Sequence, residues 1–281
     1  MKWILTNTSV CQVILLVITV FCQFRMISSA IPIELRSYGL ARYLDAHLVY
    51  MLHQADQFFV YMSGMSIVVT FYFKYAILNS SGTITKLRML RSALLFHIPV
   101  MISLVVEVVQ VITQALPTDI RQMYDERNKN ITEYATIGIL SLKTVPSRMN
   151  FVLMTGSVFV YPVIGFFFRY QISKILQQHM GLSSLIKKKP IRSFVTGLTI
   201  QAILPIFCYT PVFSLYIYCV LTLEEVLFEQ YFIFVFAAFP AVLDPIVTFY
   251  FVTPYRKKLK EWLRIEQSSQ VGVANVSVVL L

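Results

Sequence analysis

Residues 231–252 read YFIFVFAAFPAVLDPIVTFYFV, from Tyr231 to Val252, with Asp244 as the one charged residue. The hydrocarbon core of a bilayer takes roughly 20 apolar residues of α-helix. A surface helix of a water-soluble domain would show a polar face at the 3.6-residue period. This stretch has none, so it reads as a membrane span (run F).

Working outward, five more runs meet the same test: A at about 4–24, B at about 47–73, C at about 92–113, D at about 149–171 and E at about 194–221. Run A ends in Phe24-Arg25 without a small-residue cleavage site, so it reads as a span and not as a secretory leader. Composition agrees. Of 281 residues, 57% are hydrophobic and 14% charged, whereas a soluble domain carries roughly 25% charge. The fold class expected is an all-α integral membrane protein, a six-helix transmembrane bundle. Its transmembrane domain covers 1–265, with a cytoplasmic tail at 266–281.

The pI of about 9.4 does not point to nucleic acid. The basic residues form short clusters between apolar runs, not one interleaved basic and aromatic surface. Lysine and arginine instead accumulate in cytoplasmic loops. Segments 74–91, 169–192 and 253–281 hold fifteen of them, against eight in segments 25–46, 114–148 and 222–230. The first set is therefore expected in the cytoplasm and the second outside. With six spans, this places the N-terminus inside as well. Asn130-Ile131-Thr132 is a glycosylation sequon in the long outer C–D loop. In the tail, Tyr255, Leu259, Trp262 and Leu263 make one apolar face, with Arg256, Lys257, Lys258, Lys260 and Arg264 around it. That pattern predicts an amphipathic helix over about 254–264, lying on the anionic inner leaflet.

No catalytic pattern appears: no HExxH, no GxSxG, no phosphate-binding loop, and four histidines scattered singly. The four cysteines lie inside apolar runs and read as small core hydrophobes. No enzyme, metal or cofactor is expected. Charged and polar residues inside spans are the informative ones, because each is costly in hydrocarbon. His53 and Asp56 share a face of run B, and Glu107 and Gln110 share a face of run C. Both pairs fall in the outer halves. They are candidates for a ligand pocket, or for a polar pair that fixes two helices. Asp244 precedes Pro245 in run F, with Gln201 in run E a candidate partner. Proline frees a carbonyl one turn back, so a hinge is expected there, or simple packing. Pro99, Pro162, Pro205, Pro211 and Pro240 interrupt the other runs or the same one, as in a bundle that bends.

Several segments resemble a known family. Phe24-Arg25-Met26-Ile27, Ser37-Tyr38-Gly39, Arg42-Tyr43, Tyr50-Met51-Leu52-His53 and Thr70 to Leu78 resemble the nematode serpentine chemoreceptors of the Str superfamily, most of all class D (Srd). Phe239 to Val247 with Pro254-Tyr255-Arg256 is similar to their seventh-helix signature. The resemblance implies a seven-transmembrane receptor fold in which runs A–F correspond to helices two to seven and the first helix is missing. It also implies a chemosensory receptor in the plasma or ciliary membrane of sensory neurons. A small external molecule would bind there, and a heterotrimeric G protein would be the cytoplasmic partner. The acid-Arg-Tyr switch of receptors is replaced here by Phe73-Lys74-Tyr75. Asp244-Pro245 looks like the last-helix hinge, with Pro205 a further bend. Family members tend to carry Cys near Gly39–Arg42, where this chain has Ala41, so the usual extracellular disulfide is not expected. The docking face expected for the G protein comprises Lys74, the loop 185–192 with Lys187, Lys188, Lys189 and Arg192, and the tail with Arg256 and Lys257. The alternative class is a six-span channel or transporter subunit. A receptor dimer with full-length partners is a third possibility.

Overall fold

The computed structural model describes residues 2–28, 33–79, 86–113, 136–139, 145–181, 185–224, 226–251 and 261. Asn130, Arg256, Lys257 and all of the 254–264 segment except Glu261 lie outside the described residues. Six α-helices and three short strands are described: α1 (Lys2–Cys22), β1 (Phe24–Ser28), β2 (Ile33–Ser37), α2 (Ala46–Asn79), α3 (Lys86–Thr113), β3 (Thr136–Ile139), α4 (Val145–Gly181), α5 (Leu185–Thr222) and α6 (Leu227–Phe251). Five helices, α2 to α6, are long and apolar enough to cross a membrane. The apolar part of α1 runs Thr6–Cys22, at the short end of spanning length. The protein is a multi-pass membrane protein.

Neighbours in sequence pack side by side, and α1 closes the ring against α6. α2 packs against α1, α3 and α4 and also meets α6. Its span is 61% buried, against 17–39% for the other four, and it is the least apolar of the five. Every residue from Ser63 to Phe71 is buried. Lipid solvates apolar side chains as well as a protein core does, so the most polar helix goes inside. Val10, Val13, Val17 and Val20 of α1 face outward instead.

Local signals set the helix ends. Asp45 starts α2: its carboxylate accepts from the His47 N–H at 2.9 Å and its carbonyl from the Val49 N–H at 3.0 Å, which satisfies donors that the first turn leaves open. α1 ends at Gln23, in the left-handed region at φ 44°, whose N–H bonds the Thr19 carbonyl at 2.8 Å. α5 ends the same way at Leu223, φ 61°, bonded to Cys219 at 2.8 Å. Both are left-handed caps, normally filled by glycine.

The antiparallel sheet, ordered β1-β2-β3, lies at the end of the bundle where α1, α3 and α5 finish. Phe24, Met26, Leu35 and Ile137 point inward into one cluster with Val49, Tyr50, Val212 and Ile233. The sheet is tied to α1 by the Ser37 hydroxyl, donating to the Cys22 carbonyl at 2.6 Å. Gly39 sits so close that a Cβ there would lie 2.2 Å from the Phe21 carbonyl oxygen. Ala41, where relatives were expected to carry cysteine, is fully buried in the same cluster. All four cysteines are buried and unbridged.

One expectation is corrected. The segment 185–192 is not a loop but the first two turns of α5, and α4 continues to Gly181. Counting apolar length finds only the part of a helix that crosses hydrocarbon. Beyond run D the pattern turns amphipathic: Ile172 and Leu176 are buried against Phe71 and Leu198, while Lys174 is exposed.

A Cβ on Gly197 would fall 2.5 Å from the Phe251 Cβ. Gly197→Leu is therefore expected to destabilise the α5–α6 packing by about 1–3 kcal/mol. Gln23→Gly is expected to stabilise by about 1 kcal/mol by removing left-handed strain. Thermal unfolding of the purified full chain in nanodiscs reads both changes.

Candidate functional site

Beneath the sheet lies a cavity of about 90 Å³. Its walls come from α2 (His53, Gln54, Asp56, Gln57, Val60), α3 (Gln110), α4 (Ser147, Asn150, Phe151, Met154, Thr155), α5 (Phe213, Tyr216) and α6 (Ile233, Phe234, Ala237). Met26 and Leu35 of the sheet form the cap. A 150 Å³ apolar cavity takes benzene, so this space suits a molecule smaller than benzene.

A directional chain of hydrogen bonds lines one wall. The Asn150 amide donates to the Gln57 carbonyl oxygen at 2.7 Å. That leaves the Gln57 amide nitrogen to donate to His53 Nε2 at 3.0 Å. His53 is thereby assigned the tautomer with its proton on Nδ1, and Nδ1 has no partner. Phe24 and Phe234 hold the imidazole edge-on, with ring centroids 5.3 and 5.9 Å away. Asp56 accepts one hydrogen bond, from the Thr19 hydroxyl of α1 at 3.1 Å. These side chains meet because His53, Asp56 and Gln57 fall at i, i+3 and i+4 on α2.

A second polar group lies in the other half of the bundle. The Lys74 ammonium donates to the Gln201 carbonyl oxygen at 3.2 Å. The Gln201 amide donates to Asp244 at 2.7 Å and to the Thr248 hydroxyl at 2.9 Å. Gln12 of α1 donates to the other Asp244 oxygen at 3.3 Å. One glutamine thus bridges a lysine and an aspartate, and four helices meet there.

Comparison with known proteins matches the amino-acid sequence to a receptor class. Residues 1–261 match the family described as serpentine type 7TM GPCR chemoreceptor Srd. The chain belongs to that family. It is 52% identical over 271 residues to serpentine receptor class delta-40 of Caenorhabditis elegans, covering 96% of this chain and 84% of the relative. It is 32% identical to class delta-47 of the same organism, covering 90% and 79%, and 32% identical to class delta-46, covering 95% and 84%. No solved structure matches.

In this Srd-family chain, three of the four expected pocket residues, His53, Asp56 and Gln110, line the cavity. Glu107 does not. It is buried on α3, and neither carboxylate oxygen meets hydrogen-bond geometry with a described partner. Three residues place Glu107 about 4.5 Å further along the axis of α3 and about 60° around it, which takes it out of the space. Gln201, Asp244 and Lys74 come together as one group. Lys74 therefore points inward and is not part of an exposed docking face. Its ammonium also stands 5.6 Å from the Phe71 ring. Tyr75 stays outside this group and packs its ring on Phe168 at 5.7 Å. Pro205 lines a small gap beside Gln201 and Tyr209. Lys187, Lys188, Lys189 and Arg192 lie in the first turns of α5.

The sequence reading missed Gln57, Asn150, Thr19 and Gln12. Gln57 stands four residues after His53 on the same face and was within reach of the pattern. Gln12, Thr19 and Asn150 are single polar residues in runs A and D, and only the packing shows what they bond.

Gln201→Leu strands Lys74 and leaves Asp244 with Gln12 alone. The expected loss is about 1–3 kcal/mol for each group left without its partner. The double variant Lys74→Met with Gln201→Leu should cost less than the sum of its parts. Thermal unfolding of the four chains as a double-mutant cycle checks this, and additive losses would show that the bridge is not an energetic unit.

Proposed function

We propose that this Srd-family chemoreceptor binds a small external molecule in the cavity beneath the sheet and passes the event to a cytoplasmic heterotrimeric G protein by rearranging its helices. The observation that supports this most is the sharing of helices between the two polar groups. α2 carries Asp56 and Lys74, α5 carries Tyr216 and Gln201, and α6 carries Ala237 and Asp244. Pro205 and Pro211 lie between the two levels on α5, and Pro240 lies between them on α6. A ligand that resets the upper packing acts on the same rods that hold the lower bridge. It shifts the equilibrium only by its differential affinity for the two states.

In this reading the sheet end faces outside, in line with its lower count of lysine and arginine, and Asn130 is available for glycosylation. The opposite end docks the G protein through Lys187, Lys188, Lys189 and Arg192 with Arg256 and Lys257. The tail segment 254–264 rests on the inner leaflet, the receptor domain covers 1–265, and residues 266–281 extend beyond it. Family membership favours this reading over a six-span channel.

The test expresses the full chain in cells with a reporter of G-protein activation and applies a panel of organic molecules smaller than benzene. A hit is expected to lose its response in Ala237→Phe, which fills the cavity, at unchanged surface level. Charge reversal at Lys187 and Lys188 to Glu should remove the response and leave binding intact. Hits indifferent to Ala237→Phe would remove the cavity from the mechanism.

A further inference from the structure

We infer that the cavity selects small organic ammonium ions, with Asp56 as their counter-ion. This rests on the cavity being the ligand site and adds to it the chemical class of the ligand.

Asp56 is a carboxylate in the wall of a cavity inside a membrane-spanning bundle, 3% exposed. Its described hydrogen-bond partner is one neutral hydroxyl, that of Thr19, on one of its two oxygens. Among the described residues, no lysine or arginine lines the cavity. Lys74 lies eighteen residues along the same helix, roughly 27 Å away at 1.5 Å per residue, and is bound to Gln201. His53, three residues before Asp56, is engaged through Nε2 by Gln57 and makes no bond to the carboxylate. An acid in such a place marks a function and calls for a partner, and the described residues place no cation beside it.

Two further features favour a cation over a neutral molecule. Gln54 and Asn150, both in the cavity wall, each carry a buried carbonyl oxygen without a partner. Beside the His53 Nδ1–H and the Thr155 hydroxyl, which can donate, the wall thus has two acceptors to spare, and a primary ammonium brings three donors and no acceptor. Phe151, Phe213, Tyr216 and Phe234 surround the same space, and aromatic faces attract cations. A charge-assisted bond to Asp56 in this dry setting is about twice as strong as a neutral one. The volume, well below the 150 Å³ that takes benzene, limits the ligand to about four heavy atoms.

The probes are isopropylamine and isopropanol, which share one skeleton and differ in charge. Purified full-length chain in nanodiscs is titrated with each at neutral pH, and affinity is read from ligand-induced thermal stabilisation. Isopropylamine is expected to bind at least tenfold more tightly. Asp56→Asn, which keeps the shape and the contact to Thr19, should bring the ratio to about one, and a cooperative unfolding transition of the ligand-free variant reports that it is folded. If Asp56→Asn does not fold, the ratio in the wild-type chain decides alone, with Ala237→Phe required to abolish both affinities. Equal affinities that Ala237→Phe abolishes would overturn the ammonium class and keep the cavity as ligand site. Absence of binding by both probes, or binding indifferent to Ala237→Phe, would overturn the ammonium class and count against the cavity itself.

Discussion

A helix that carries His53, Gln54, Asp56, Gln57 and Lys74 through a hydrocarbon layer has to be surrounded by other helices. In lipid, each unsatisfied polar group costs several kcal/mol (about 2–7). Much of the arrangement follows from that constraint on α2. α1, α3 and α4 pack around it and α6 reaches it, and the buried residues from Ser63 to Phe71 leave it no lipid-facing stripe. The more apolar helices take the outer positions. The polar side chains that α2 brings inside are met at two levels by partners from other helices: Thr19 and Asn150 above, Gln201 below.

The two levels differ in kind. The lower one joins a lysine and an aspartate through a glutamine, with Gln12 and Thr248 completing the bonds. The upper one has bonds left over, at His53 Nδ1, Gln54 Oε1 and Asn150 Oδ1, and it encloses space. The sheet contributes the roof. Its inward residues Met26 and Leu35 close the cavity over, and its strands begin where left-handed Gln23 turns the chain out of α1.

Energetics bound how such a receptor could work. Driving a two-state bundle from 1:99 to 99:1 takes about 5.5 kcal/mol of differential affinity. A ligand of about four heavy atoms gains at most roughly 1.5 kcal/mol per atom, or about 6 kcal/mol in all. Nearly all of its binding energy would then have to discriminate between states. A resting equilibrium closer to balance, with the Lys74–Gln201–Asp244 bridge only modestly favoured, suits so small a ligand better.

The amino-acid sequence by itself determined the membrane class, the runs that become helices, the family and the residues worth watching: His53, Asp56, Gln110, Lys74, Gln201 and Asp244 are all polar residues in apolar surroundings, and the cost of burying them makes them visible. It could not show the sheet, although Phe24-Arg25-Met26 and Glu34-Leu35-Arg36 alternate, because strands this short gain their stability from pairing and from the cluster beneath them. Nor could it separate Glu107 from Gln110, since helical spacing gives a face to within a turn and a cavity is narrower than that. Tertiary structure alone decided that Lys74 points inward, that 185–192 is helix, and that Gln57, Asn150, Thr19 and Gln12 are partners. Hydrophobicity is a property of each residue and is written along the chain, whereas a hydrogen bond between α1 and α6 exists only once the bundle has closed.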